Sequence, residues 1–183
     1  MIGAEVRSIP LVDESGRVLN VVDLENLVTD HQLPLTAVIM AGGPGTRLRP
    51  LTEKLPKPML PVDGRPLLEH IIGGLRAAGI RKINITTHYK GDLIEKHFGD
   101  GASFGVDLKY VNEKEPMGTA GALSLLDPTD EPLLVMNGDI MTKVDFRAML
   151  NYHTDHEADM TVALHRHEYT VPFGVIDLTG DRI

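Results

Sequence analysis

Three glycines within four residues, Gly42, Gly43 and Gly45, are followed by Arg47 and, ten residues after that arginine, by Lys57. Glycine lets the backbone take positive φ angles and come close to a ligand, so a run of glycines offers N–H groups as anion donors. On their own, such glycines are equally an ordinary turn. The two cations add the chemistry: a guanidinium fork grips phosphate oxygens in a fixed geometry, and an ammonium supplies a mobile point charge. Residues 41–48 therefore read as a cradle for a polyphosphate, with Ala41, Gly42, Gly43, Gly45 and Thr46 as its backbone and Arg47 and Lys57 as its charges. The spacing matches neither Gly-x-x-x-x-Gly-Lys-Ser/Thr nor Gly-x-Gly-x-x-Gly, which argues against a P-loop ATPase and a Rossmann dehydrogenase.

Such a loop needs a strand to deliver it. Residues 36–40 are apolar or β-branched and run directly into the glycines, which puts the loop at the carboxyl end of a strand, where open α/β sheets bind ligands. Residues 66–78 carry Leu67, Leu68, Ile71, Ile72 and Leu75 at the spacing of one helical face, and Gly79 closes that helix. A strand over 83–87, a helix over 91–98, an alternating strand over 106–111 and a short helix over 119–126 follow. The continuous apolar run 133–136 suits a strand buried on both faces and ends in Asn137-Gly138-Asp139. Beyond it a helix is predicted over 146–153, extended chain over 160–164 and 174–178, and a turn over 179–181. This alternation implies a Rossmann-like α/β fold, a mainly parallel sheet with helices on both faces. Before Pro34 the style differs: two short strands around a turn at 13–16, then a short helix over 23–28. The expected division is a segment and linker at 1–33 and a main domain at 34–183.

The run Met40-Ala-Gly-Gly-Pro-Gly-Thr-Arg-Leu-Arg-Pro-Leu-Thr, followed by Pro56-Lys-Pro-Met-Leu-Pro-Val, resembles the signature of the sugar-phosphate nucleotidyltransferase family. The resemblance implies joining of a nucleoside triphosphate to a sugar 1-phosphate, giving a nucleotide sugar and pyrophosphate. It implies that Arg47 holds the leaving β and γ phosphates and that Lys57 steadies the α-phosphate and the incoming sugar phosphate. Reactions of this kind need magnesium to neutralise crowded oxygens. Asp139, emerging at the end of an apolar strand on the same sheet edge, is the candidate ligand, and the family carries a metal-binding aspartate there. A capping aspartate is the plain structural alternative.

The segment Glu113-Lys-Glu-Pro-Met-Gly-Thr-Ala-Gly-Ala resembles the family's second nucleotide-binding segment, with Gly118 and Thr119 where the base lies against the backbone. Members using thymidine or uridine nucleotides often carry glutamine five residues before that glycine, and this chain has Glu113. An ionised carboxylate only accepts hydrogen bonds. Guanine presents two adjacent donors, N1–H and N2–H, whereas uracil and thymine present acceptor oxygens, so Glu113 favours GTP. The stretch is also similar to that of GDP-mannose pyrophosphorylases. UTP or dTTP remains the alternative if Glu113 is a solvated loop charge. Val171-Pro-Phe-Gly174-Val-Ile resembles the family segment whose glycine lies under the sugar; a glycine opening a strand is the alternative.

Roughly the first thirty residues resemble the closing half of a CBS motif through Ile9-Pro-Leu-Val-Asp-Glu-Ser-Gly-Arg-Val, a likeness that implies nucleotide sensing and adds to the GTP reading. A non-catalytic nucleotide-sensing module is therefore the rival from another class. The family's Glu-Lys-Pro segment and second metal-binding aspartate lie beyond the Phe-Gly-Val stretch, so the expectation is an incomplete domain that binds nucleotide and is poor in catalysis alone. Homo-oligomerisation is a further expectation of the resemblance. The histidine pairs His153/His156 and His165/His167 lack a cysteine or a suitably spaced carboxylate and are assigned no role. A net charge of −8 gives no support to a nucleic-acid surface, which needs clustered cations. With no cysteine, no signal-like N-terminus and no apolar run near the roughly 18 residues of a membrane span, the expectation is a cytoplasmic protein without a membrane partner.

Overall fold

The computed structural model describes residues 8–13, 15–23, 32–115, 117, 118 and 120–170. Met1–Arg147 and Ala148–Ile183 form two compact units.

In the first unit, strands β1 (Ser8–Val12) and β2 (Val18–Asp23) pair antiparallel. Their turn is tied by Asp13, whose carboxylate accepts from Ser15 N–H, Ser15 Oγ–H and Arg17 N–H. Those bonds, the Ser15 hydroxyl first, hold the Asp13 carboxyl below its ordinary pKa. The helix predicted over 23–28 begins on β2 at Asp23, and its remainder lies outside the described residues.

The main sheet is parallel. Strand β3 (Thr36–Met40) leads to a small hairpin, β4 (Pro61–Val62) and β5 (Arg65–Pro66), whose turn residues Asp63 and Gly64 both take positive φ, as a two-residue hairpin turn requires. Helix α1 (Leu67–Ala77), strand β6 (Lys82–Thr87), helix α2 (Gly91–Phe98), strand β7 (Asp107–Asn112) and strand β8 (Leu133–Asn137) follow. Among the described residues the order across the sheet is β7-β6-β3-β8. The register pairs Ile39 with Ile85 and Met136, and Met40 with Thr86 and Asn137, so β3, β6 and β8 end at a common edge.

Helix α1 buries Leu68, Ile71, Ile72 and Leu75, the stripe its sequence spells out. It ends in a Schellman motif: Gly79 turns at φ 90°, Ile80 N–H reaches the Leu75 carbonyl at 2.9 Å, and Gly79 N–H reaches Arg76 at 3.0 Å. Ile80 and Leu75 are both buried there, which fixes where β6 begins. Helix α2 lies beside α1, with His97 3.7 Å from Glu69. Ala37, Val38 and Ile39 are fully buried, as a central strand requires. On the sheet face carrying Asn84 and Lys109, residues 125–131 border a groove of about 940 Å³.

The short helix expected over 119–126 forms as a 3₁₀ turn at Gly121–Leu125. Two expectations need correction. Strand β8 is not buried on both faces: Leu133 and Val135 are 38% and 42% exposed, because β8 is the last strand of the sheet among the described residues. Residues 160–164 form no strand, and Met160, Val162 and Leu164 stand exposed without a ladder partner among the described residues. Helix α3 (Phe146–Asp155) forms as expected. The predictions at 174–178 and 179–181 lie outside the described residues.

Candidate active site

The carboxyl end of β3 opens into the glycine loop. Ala41 N–H donates to the Thr86 carbonyl at 3.0 Å, and Tyr89 N–H donates to the Gly42 carbonyl at 3.4 Å, so the loop starts by following β6 and the turn after it. The three glycines have different reasons to be glycine. Gly45 alone of the three takes a positive φ, 61°. Gly42 is needed for closeness, since a Cβ there would lie 2.7 Å from Glu113 Oε1 and 3.4 Å from His88 Cβ. A Cβ on Gly43 would meet nothing within 4 Å, so that position faces open space.

The Gly45 end gathers the charges. A Cβ on Gly45 would lie 3.3 Å from Lys57 Cβ, which brings the lysine against the loop. Lys57 sits on a 3₁₀ turn, Lys57–Met59, fixed by buried Pro56 and Pro58 on either side of it. Its Nζ forms an ion pair with Asp139 Oδ2, a residue 82 positions away. Asp139 is held there by its neighbour: Gly138 N–H donates to the Met40 carbonyl at 2.9 Å, where β8 ends beside β3. The pair is 36% and 31% exposed, so its charges remain available to a ligand, and as a surface pair it contributes about 1 kcal/mol or less to stability. Thr46 and Arg47 lie on the 3₁₀ turn Thr46–Leu48, both exposed, and no carboxylate among the described residues pairs with Arg47.

The Gly42 end is buried. Glu113 follows β7, is 5% exposed, and its N–H donates to the Thr87 carbonyl at 2.8 Å. Its Oε2 accepts from Met117 N–H at 3.2 Å while Oε1 stands over Gly42. His88 Nδ1 lies 2.7 Å from the Glu113 carbonyl; a carbonyl only accepts, so Nδ1 carries the proton. Gly118 takes φ 79°, which explains its glycine, whereas Thr119 and Gly174 lie outside the described residues. The structure thus brings together Ala41, Gly42, Gly43, Gly45, Lys57, Glu113 and Asp139 around one loop.

A sequence model of the Nucleotidyl transferase family matches residues 36–183. This chain belongs to that family. A mannose-1-phosphate guanylyltransferase of Mycobacterium tuberculosis is 41% identical over 138 residues, covering 74% of this chain and 38% of the relative. A D-glycero-alpha-D-manno-heptose 1-phosphate guanylyltransferase of Aneurinibacillus thermoaerophilus is 36% identical, covering 81% of this chain and 65% of the relative. Among solved structures, HddC from Yersinia pseudotuberculosis complexed with GMP-PN is 29% identical with a TM-score of 0.57, over 66% of this chain and 54% of that one. The chain of this nucleotidyl transferase family member therefore spans less than two thirds of the length of these relatives.

Sequence reasoning missed Thr52, Tyr89 and His88. Thr52 is 1% exposed; its Oγ1 donates to the Gly45 carbonyl at 2.9 Å, and its own carbonyl accepts from Tyr89 Oη at 3.3 Å. The one available signal was its place inside the signature run. His88 and Tyr89 carried none, because their role depends on β6 lying beside β3. In the second unit, His153 Nδ1 lies 3.0 Å from Thr161 Oγ1, and His156 stacks on Tyr152. Among the described residues no three His, Asp or Glu side chains gather as a metal site, and no helix is long and apolar enough to cross a membrane.

Proposed function

We propose that this chain carries the nucleotide half of a sugar-1-phosphate guanylyltransferase active site, binding GTP along the glycine loop with its phosphates at Gly45 and its base at Gly42. The observation that carries the reading is the arrangement of charge on the loop: Lys57 paired with Asp139 at one end and the buried Glu113 carboxylate at the other. A nucleoside triphosphate has the matching polarity, with anionic oxygens at one end and a hydrogen-bonding base at the other. The guanylyltransferase relatives support guanine as that base.

An oxygen of the sugar 1-phosphate attacks the α-phosphorus of GTP. The new P–O bond forms as the bond to the bridging oxygen of the β-phosphate breaks, and pyrophosphate leaves with that electron pair. The attacking phosphate is already ionised, so no side-chain base is required. Arg47 and Lys57 hold and neutralise phosphate oxygens, and catalysis is positioning plus charge stabilisation. Glu113 offers acceptors to the guanine edge; each carboxylate oxygen has two lone-pair directions, so Oε2 keeps one beside Met117 N–H and Oε1 keeps both.

The donor set also suits magnesium. Magnesium keeps several waters and takes one or two carboxylates plus substrate phosphates, and Asp139 is a single, partly exposed carboxylate beside the loop. Asp139 would hold the ion and Lys57 would keep that carboxylate in place. When bound, the ion supplies neutralisation of crowded phosphate charge.

The test is pyrophosphate release by the full-length protein given GTP, magnesium chloride and a panel of mannose, heptose and glucosamine 1-phosphates, with Arg47→Ala as the control. Release well above that control from at least one sugar is expected. Binding of adenine nucleotides without magnesium and without turnover would instead favour the nucleotide-sensing reading.

A further inference from the structure

Thr52 lies between Arg47 and Lys57 in a short 3₁₀ turn, Leu51–Glu53, whose other members are exposed. Burying a hydroxyl is costly unless it is hydrogen-bonded. Thr52 is 1% exposed, and its bond is to the loop itself, Oγ1 to the Gly45 carbonyl at 2.9 Å. Its methyl lies 2.9 Å from the point that a Cβ of Gly45 would occupy. Leu48 N–H donates to the same carbonyl, also at 2.9 Å, so both acceptor directions of the Gly45 oxygen are taken. Thr52 is anchored in turn by its own carbonyl, which accepts from Tyr89 Oη at 3.3 Å, and by the next carbonyl, Glu53, which accepts from Lys90 Nζ.

The consequence follows from peptide geometry. In a planar trans peptide the C=O and the following N–H point opposite ways. With the Gly45 carbonyl held toward Thr52, the Thr46 N–H is directed away from it, and the turn that carries Arg47 starts from that fixed plane. We propose that Thr52 is a positioning residue: acting through Gly45, it holds Thr46 N–H and Arg47 in the orientation that receives the β and γ phosphates of a nucleoside triphosphate. This rests on the triphosphate reading above and adds the residue that sets its phosphate end.

Two substitutions separate the hydroxyl from the methyl: Thr52→Val keeps the shape and Thr52→Ser keeps the donor. Both are made in the chain Met1–Ile183, and binding of GTP and of GMP, each with magnesium chloride, is measured by titration calorimetry. Thr52→Val is expected to weaken GTP about three- to tenfold, the range for one lost hydrogen bond, while GMP stays within about twofold and Thr52→Ser restores GTP. A general loss of structure would weaken both ligands. Thr52→Val binding GTP as tightly as wild type, or losing GTP and GMP equally, overturns the proposal. If Thr52→Val does not fold, Tyr89→Phe removes the anchor instead: selective loss of GTP supports the proposal, and no loss or an equal loss overturns it. A wild-type chain that binds GTP no more tightly than GMP contradicts the triphosphate reading itself, whatever the variants do.

Discussion

The two ends of the glycine loop are built differently. At Gly45 the chemistry comes from charges that are a third exposed, Lys57 and Asp139, and from Arg47, exposed on the turn that follows the glycine. At Gly42 it comes from one carboxylate that is 5% exposed, locked between Met117 N–H and the glycine backbone. Exposed charges attract a polyphosphate strongly but discriminate little. A buried acceptor contributes less attraction and rejects the wrong hydrogen-bonding edge, because a polar group left unpaired in a buried site is costly. Affinity and selectivity should therefore be separable by mutation.

The largest effect is expected at the charged end. Lys57→Met should weaken GTP binding about ten- to a hundredfold, the range for losing a charged hydrogen-bonding group, and should weaken UTP by the same factor. Titration with both nucleotides checks it, and a loss confined to GTP would erase the distinction between the ends. Next comes the glycine pair. Gly42→Ala forces a Cβ against Glu113 Oε1 and should cost about 1–3 kcal/mol of stability, whereas Gly43→Ala enters open space and should leave the melting temperature of the free chain unchanged. Denaturant melts of the two variants side by side decide this.

Ionic strength offers a milder probe. Raising salt from about 0.05 to 0.5 M shortens the screening length and should weaken GTP, ATP, UTP and CTP together, leaving their ranking intact. The smallest effect concerns Thr87, whose Oγ1 is buried with no hydrogen-bond partner among the described residues while its carbonyl holds Glu113 N–H. Thr87→Val keeps the backbone and removes the stranded hydroxyl, so stability should stay level or rise by up to about 1 kcal/mol, with nucleotide selectivity unchanged. A loss of selectivity would mean that the Thr87 hydroxyl takes part in the base end after all.

What the sequence made legible follows the same division. The charged end lies mostly within one contiguous run, so Gly45, Arg47 and Lys57 were readable from type and spacing, and Asp139 from the strand that ends on it. Helix α1 was readable because Leu68, Ile71, Ile72 and Leu75 are periodic and Gly79 closes them. The contacts that shape the loop were not. Thr52 reaches Gly45 only because the chain folds back over seven residues, and His88 approaches Gly42 only because β6 pairs with β3. The apolar run of β8 was misjudged because composition does not reveal that a strand is the last of its sheet among the described residues. The same is true of 160–164, whose alternation has no partner strand among the described residues.

The central claim is that Glu113 reads the base held at the Gly42 end. Competition binding of GTP, ATP, UTP and CTP to the wild-type chain and to Glu113→Gln, all with magnesium chloride, tests it most directly. Wild type should prefer GTP over UTP by about tenfold or more, and Glu113→Gln should narrow or reverse that preference while total affinity for triphosphate changes little. Equal affinities in wild type, or a GTP preference that survives Glu113→Gln intact, would contradict it.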